Sequence, residues 1–271
     1  ASWLATKKLE FRPNHPSPAR SKPSRLSLKE TLLPFSIIMG VISLFLVLQP
    51  DVSTLGVIGT TGLVMYFLAG TPFWHSLLLI GIGLGSLASL IAIAPYRISR
   101  LAVFLDPSLD PLGKGYQVKQ ALIGIGSGGL TGTGLGLSFQ KFGVLPEPIS
   151  DSIFAVFAEE VGFIGSVLLI SLLFAFALRA LIISKRVPVA FAQLTAAGIG
   201  FWLFLQATIN IGSMLGLLPL TGIPLPFISY GGSSLLALLA GVGVLLNISM
   251  YSTQEANLAR RKRKGKLWMR V

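Results

Sequence analysis

Residues 161–180 read VGFIGSVLLISLLFAFALRA, a stretch whose single charge is Arg179. A helix that crosses about 30 Å of hydrocarbon needs roughly 20 mostly apolar residues, because in lipid each backbone N–H and C=O must be satisfied within the helix itself. Working outward, comparable apolar runs lie near 33–49, 52–70, 74–94, 190–212 and 231–250, so six spans are expected. The wider composition agrees: 52% of the 271 residues are hydrophobic, 12% are charged, and mean hydropathy is +0.76, well outside the range of a soluble domain. The expected fold class is an all-α polytopic integral membrane protein with one large loop, 95–150.

The formal charge of +12 is distributed by topology. Seven Lys/Arg lie in 1–32, three in 179–188 and seven in 252–271, which is 17 of the 22. The positive-inside rule makes these segments cytoplasmic, and six alternating crossings satisfy all three clusters at once. A nucleic-acid role is not indicated, since the basic residues do not gather on a binding face. The basic tail Arg260-Arg261-Lys262-Arg263-Lys264 is read as a topogenic or anionic-lipid contact. Seven of the ten acidic residues (Asp51, Asp106, Asp110, Glu147, Asp151, Glu159, Glu160) fall on the opposite, extracytoplasmic side. The expected organisation is a cytoplasmic basic linker 1–32, three spans over 33–94, the extracytoplasmic loop 95–150, three further spans with an extracytoplasmic extension over 151–251, and a cytoplasmic tail 252–271. Residues 9–30, rich in Pro, Ser and charge, read as linker. The chain opens at Ala1 with no initiator Met and no signal peptide, so an N-terminal truncation by an even number of spans is expected.

With no cysteine, disulfides and thiolate sites are out, and His15 and His75 are too few and too far apart for a histidine metal site. Gly81, Gly83 and Gly85 are expected at close helix–helix contacts. Gly124-Ile125-Gly126-Ser127-Gly128-Gly129 matches G-x-G-x-x-G formally, but between membrane spans it lacks the βαβ context of a dinucleotide site. A loop that turns tightly and lets backbone approach backbone or substrate is the better reading. Counting back ~12–15 Å from a span beginning at Val161 places Asp151 above the membrane, with Glu159 and Glu160 at the interface. Asp151 is there both a candidate helix N-cap and a candidate general base.

Several motifs then combine. Gln49-Pro50-Asp51 with Ser53-Thr54, Asp106-Pro107 through Gly115-Tyr116-Gln117, Gly126-Ser127-Gly128-Gly129, Gln140-Lys141-Phe142, Leu145-Pro146-Glu147-Pro148, Asp151 with Ile153-Phe154-Ala155-Val156, Glu159-Glu160-Val161-Gly162-Phe163-Ile164-Gly165, and Pro224-Leu225-Pro226-Phe227-Ile228-Ser229-Tyr230-Gly231-Gly232-Ser233-Ser234 resemble the SEDS family (shape, elongation, division and sporulation) over residues ~31–252. The resemblance implies ten spans with both ends inside, the first four absent here. It also implies polymerisation of lipid II into glycan strands beside a class B penicillin-binding protein. Gln-Lys-Phe followed by Leu-Pro-Glu-Pro is closer to the division (FtsW) branch than to the elongation (RodA) branch, which implies other division proteins as partners and a septal location in the bacterial cytoplasmic membrane. The family's essential aspartate, in a Pro-Glu-x-His-Thr-Asp run, falls on Asp151, although His-Thr is here Ile149-Ser150.

On this reading Asp151 is the catalytic base. Glu147, Lys114, Lys119, Tyr230, Ser229 and Ser233 are candidate substrate contacts, and Glu147 is also a candidate ligand for a divalent cation, Mg or Mn. Arg97, Arg100 and Lys141 are further basic residues of the same loop available to a pyrophosphate. A flippase for the lipid-linked precursor and a non-catalytic activator of a transpeptidase are the competing functions. Against the flippase, the spans are almost free of ionisable residues and the acids gather outside.

Overall fold

The computed structural model describes the backbone of residues 28–93 and 95–268, and the side chains of 32–93 and 96–251. The 1–32 linker and the side chains of the basic tail therefore lie largely outside the described residues. Helices α1 (Leu28–Leu48), α2 (Val52–Leu68) and α3 (Phe73–Ile93) are followed by a short α4 (Pro95–Leu105), a 3-10 turn (Pro107–Leu109) and α5 (Lys114–Ser127), and then by α6 (Ile153–Arg186), α7 (Ala190–Met214) and α8 (Gly232–Trp268). No strand occurs among the described residues.

Each expected span falls on a helix, and the chain is an all-α multi-pass membrane protein. Phe73–Ile93, Ile153–Arg186, Ala190–Met214 and Gly232–Tyr251 are long and apolar enough to cross a bilayer, while Leu32–Leu48 and Val52–Leu68 are shorter apolar helices. The centre is α7, 56% buried over its apolar window against 6% for α3. Small residues make its contacts close: a Cβ on Gly200 would lie 2.6 Å from Ala180 Cβ, and one on Gly198 2.6 Å from Met65 Sδ. By contrast Gly81, Gly83 and Gly85 have nothing within 4 Å. The expectation that they pack against another helix is corrected, because α3 is peripheral and turns that face away from every described neighbour.

The 95–150 stretch is not structureless, as it holds α4 and α5. Asp106 opens the 3-10 turn by accepting from Ser108 N (3.0 Å) and Ser108 Oγ (2.6 Å). Asp110 then starts α5 by accepting from Gly113 N (3.0 Å) and Lys114 N (2.9 Å), so the first N–H groups of that helix are satisfied from outside it. The G-x-G-x-x-G segment is the end of α5 and the turn after it.

Helix α6 is two helices in series. Gly162 has φ 71° and ψ −167°, which ends Ile153–Val161 before Phe163–Arg186 resumes. The glycine-rich turn 128–134 enters this break. Thr133 N donates to Glu159 O (2.9 Å) and Gly134 N to Glu160 O (3.1 Å), while Phe163 N donates to Gly129 O (2.9 Å) and Ile164 N to Leu130 O (3.1 Å). Groups that a break would orphan are thus paired across it. A Cβ on Gly128, Gly132 or Gly162 would collide with backbone of the opposing segment, so backbone approaches backbone here, as the glycine pattern led us to expect.

Sidedness is open to a direct test in a chain without cysteine. Single cysteines at Asp51 and Gly222 are expected to react with a membrane-impermeant thiol reagent added outside, and cysteines at Lys185 and Lys262 only after lysis. Labelling of Lys185→Cys in sealed cells would contradict the charge-based map.

Candidate functional site

The site grows from the turn 145–152 at the head of α6. Glu147 sits between two prolines with φ 50°, a backbone region that non-glycine residues enter only where the surroundings impose it. The surroundings here are hydrogen bonds. Glu147 O accepts from Ser150 N (3.3 Å) and Ser152 N (3.1 Å), and the Glu147 carboxylate accepts from Ser150 Oγ (2.8 Å). Ser152 Oγ donates to Pro146 O (2.9 Å) and accepts from Gln117 Nε2 of α5 (2.9 Å). With that hydroxyl engaged, α6 begins at Ile153 with no side-chain cap. The candidate N-cap role of Asp151 is therefore corrected: the helix starts two residues later.

Three distant groups fix the turn's backbone. Asn210 of α7, itself buried, donates to Asp151 O and to Ile223 O, both at 2.8 Å. Ser229 Oγ donates to Ser150 O (2.6 Å) and accepts from Leu225 N (2.7 Å). Tyr230 N donates to Ile149 O (2.8 Å). The partner segment 219–230 is held in its turn by Gln206 Nε2 to Pro224 O (2.9 Å), Ser213 Oγ to Pro219 O (2.9 Å) and Ser53 Oγ to Thr221 O (2.7 Å). Gln206, Asn210 and Ser213 stand at i, i+4 and i+7 on one face of α7. Sequence reasoning missed them, although uncharged polar residues inside an apolar span are the signal that finds such a face.

Within this frame the Asp151 carboxylate receives no protein hydrogen bond among the described residues. Gly222, with φ 74°, lies against it, and a Cβ there would come 3.3 Å from Oδ2. Burial pushes the Asp151 carboxyl above the usual carboxylate range, and the Glu147 charge adds to this while Arg100 partly opposes it. Lys114 is held below the usual lysine range by burial and then by Arg100, with Asp110 acting the other way. Asp151, Glu147, Arg100 and Lys114 thus form one electrostatically linked group.

The remaining sequence candidates divide. Ser229 joins the site through the backbone of the Asp151 turn, and Tyr230 does so through its N–H while its side chain is exposed. Lys119 and Ser233 are exposed, and no hydrogen bond or ion pair ties them to the Asp151 turn. Arg97 is engaged with Leu90 O (2.6 Å) and Tyr96 OH (2.9 Å). Lys141 pairs with Glu160 at 2.7 Å. Glu159, expected at an interface, is buried and accepts from Ser138 Oγ, Phe139 N (3.2 Å) and Gln140 N (3.3 Å). No group of three or more His, Cys, Asp or Glu suited to a metal occurs among the described residues. Two carboxylates, Glu147 and Asp151, share this turn, and the charge of the first acts on the second.

Comparison with known proteins leads to the family that these motifs resemble. The FtsW, RodA and SpoVE model, described as cell cycle protein, matches residues 9–254. Stage V sporulation protein E of Bacillus subtilis (strain 168) is 48% identical over 214 residues, covering 78% of this chain and 58% of that protein. The probable peptidoglycan glycosyltransferase FtsW of Escherichia coli O6:H1 is 42% identical over 233 residues, covering 85% and 56%. The chain thus spans less than three-fifths of the length of these two relatives. Among solved structures, a chain from work on the structural coordination of polymerization and crosslinking by a peptidoglycan synthase complex aligns with TM-score 0.64 at 30% identity, over 93% of this chain and 67% of that one. The rod shape determining protein RodA of Thermus thermophilus aligns with TM-score 0.55 at 28% identity, over 91% and 61%. With a model match over most of its length and the motif-bearing turn and loops in place, this chain belongs to the FtsW, RodA and SpoVE family of cell cycle proteins.

Proposed function

We propose that the protein polymerises lipid II into glycan strands at the outer face of the bacterial cytoplasmic membrane, with Asp151 as general base. The observation that carries this is the Asp151 carboxylate itself: it is half-buried and without a protein partner among the described residues, on a turn whose serine hydroxyls and main-chain carbonyls are hydrogen-bonded. A sugar hydroxyl of the acceptor attacks the anomeric carbon of the donor, a C–O bond forms there, and the bond to the lipid pyrophosphate breaks with its electron pair leaving on that group. The hydroxyl proton passes to Asp151. A positioned carboxylate with a raised pKa accepts it well, and such base catalysis contributes roughly 10²–10⁴-fold. Glu147 would help hold a Mg or Mn ion, whose chemistry is to neutralise pyrophosphate charge. Arg100, whose charge acts on both Asp151 and Lys114, would with Lys114 supply positive charge to the pyrophosphate.

The likeness to the probable peptidoglycan glycosyltransferase FtsW supports the glycosyltransferase reading, and the synthase-complex neighbour supports a crosslinking partner, here a class B penicillin-binding protein. The FtsW relatives favour a septal role with other division proteins.

The pH profile of polymerisation tests the base. Asp151 acts when deprotonated, so the rate should fall as pH drops through a pKa above the usual carboxylate range. Glu147→Gln removes a like charge that raises this pKa, so the acid limb should move to lower pH. Arg100→Gln removes a charge that lowers it, and the limb should move to higher pH. If both variants leave the limb in place, Asp151 is not the titrating group.

A further inference from the structure

The segment 130–142 carries large apolar side chains that no described part of the protein covers. Leu130 is 70% exposed, Leu135 80%, Leu137 69%, Phe139 68% and Phe142 72%. A water-borne loop would turn such residues inward or lack them, and several large apolar side chains exposed within one short segment mark an interaction site. The loop is not free to drift. Gly129 O and Leu130 O accept from Phe163 N and Ile164 N, the first residues of the continuous apolar stretch of α6, and Phe163 and Ile164 are themselves exposed. The loop therefore starts at the depth where the spanning part of α6 ends. Its apolar side chains continue the exposed apolar surface of that helix. Lys141, paired with Glu160, puts the loop's charge beside the same end of the helix.

We infer that residues 130–142 form a membrane anchor, their apolar side chains inserted among phospholipid acyl chains of the leaflet at the loop-bearing end. Lipid is the occupant favoured by this continuity with a spanning helix and by the Lys141–Glu160 pair beside the end of that helix, since a polar pair next to an apolar surface is the pattern of a membrane interface. Two consequences follow. The glycine-rich backbone of 128–134, locked into the α6 break, ties the anchor to the first segment of α6. That nine-residue segment, Ile153–Val161, is roughly 13 Å long, so the anchor would limit how far Asp151 can stand from the hydrocarbon. The catalytic meaning of that height rests on the proposed function, whereas the insertion does not.

Spin labels on single cysteines in the full-length protein, in nanodiscs of phosphatidylethanolamine and phosphatidylglycerol and in a background without other cysteines, read the depth directly. Leu137→Cys and Phe139→Cys are the test sites, Leu168→Cys on the exposed face of α6 is the lipid reference and Lys119→Cys the water reference. Labels at 137 and 139 are expected to collide more with oxygen than with a water-soluble nickel chelate, as at 168. Nickel accessibility matching that at 119 would overturn the inference by placing the loop in water. Low accessibility to both reagents would also overturn it, by showing that protein, whether further helices or a partner, covers the loop. Should either variant fold poorly, Leu135→Cys gives the same reading from a side chain 80% exposed.

Discussion

Gly162→Ala is expected to lower the stability of the purified protein by several kcal/mol and to release the glycine-rich turn from α6. At φ 71° and ψ −167° the residue occupies a region reserved almost entirely for glycine, where strain alone costs about 1–3 kcal/mol. Space is a second barrier, since a Cβ would fall 2.7 Å from Leu130 C and closer still to Gly132 N. The chain can relieve the clash only by giving up the four backbone hydrogen bonds that cross the break, and each such group left unpaired away from water costs about 1–3 kcal/mol. Gly126→Ala is the matched control. That glycine lies within α5 with nothing within 4 Å, so alanine there should be neutral or stabilising by about 0.5–1 kcal/mol. Thermal unfolding in detergent separates the two, and equal midpoints for both variants would show that the break is not held as described.

Why this glycine was not singled out from sequence is instructive. Gly162 and Gly165 stand in the same apolar run, and nothing local distinguishes the residue that breaks the helix from the one that packs within it. The distinction comes from 128–134, some thirty residues away. The spans were legible because lipid imposes a length and a composition on any helix that crosses it. Helix α5 was not, since Gly124 and Gly126 lower helix propensity by about 1 kcal/mol each and, with Gly128 just beyond the helix, read as a loop instead. The N-cap assignment for Asp151 failed for a related reason: the hydroxyl of Ser152 is committed to Pro146 and Gln117, which no local rule can foresee. Asp151, Glu147 and Ser229 were found through chemistry and motif. Asn210 and Gln206, which hold the frame, lie on a helix read only for its length.

The second large effect, and the centre of the account, is Asp151→Asn. No protein hydrogen bond reaches this carboxylate among the described residues, and the contact that secures the residue is made to its carbonyl by Asn210. Asparagine keeps the size and that carbonyl but cannot take up the acceptor's proton. The fold should therefore be unchanged while chemistry suffers by at least ~10²-fold, or about 2.7 kcal/mol in the barrier. The decisive measurement is the initial rate of lipid II polymerisation by the full-length protein with the proposed transpeptidase partner, for parent and Asp151→Asn at matched expression, unfolding midpoint and complex yield. The account predicts a rate at or below about a hundredth of the parent. A variant that polymerises lipid II at near the parent rate would contradict it.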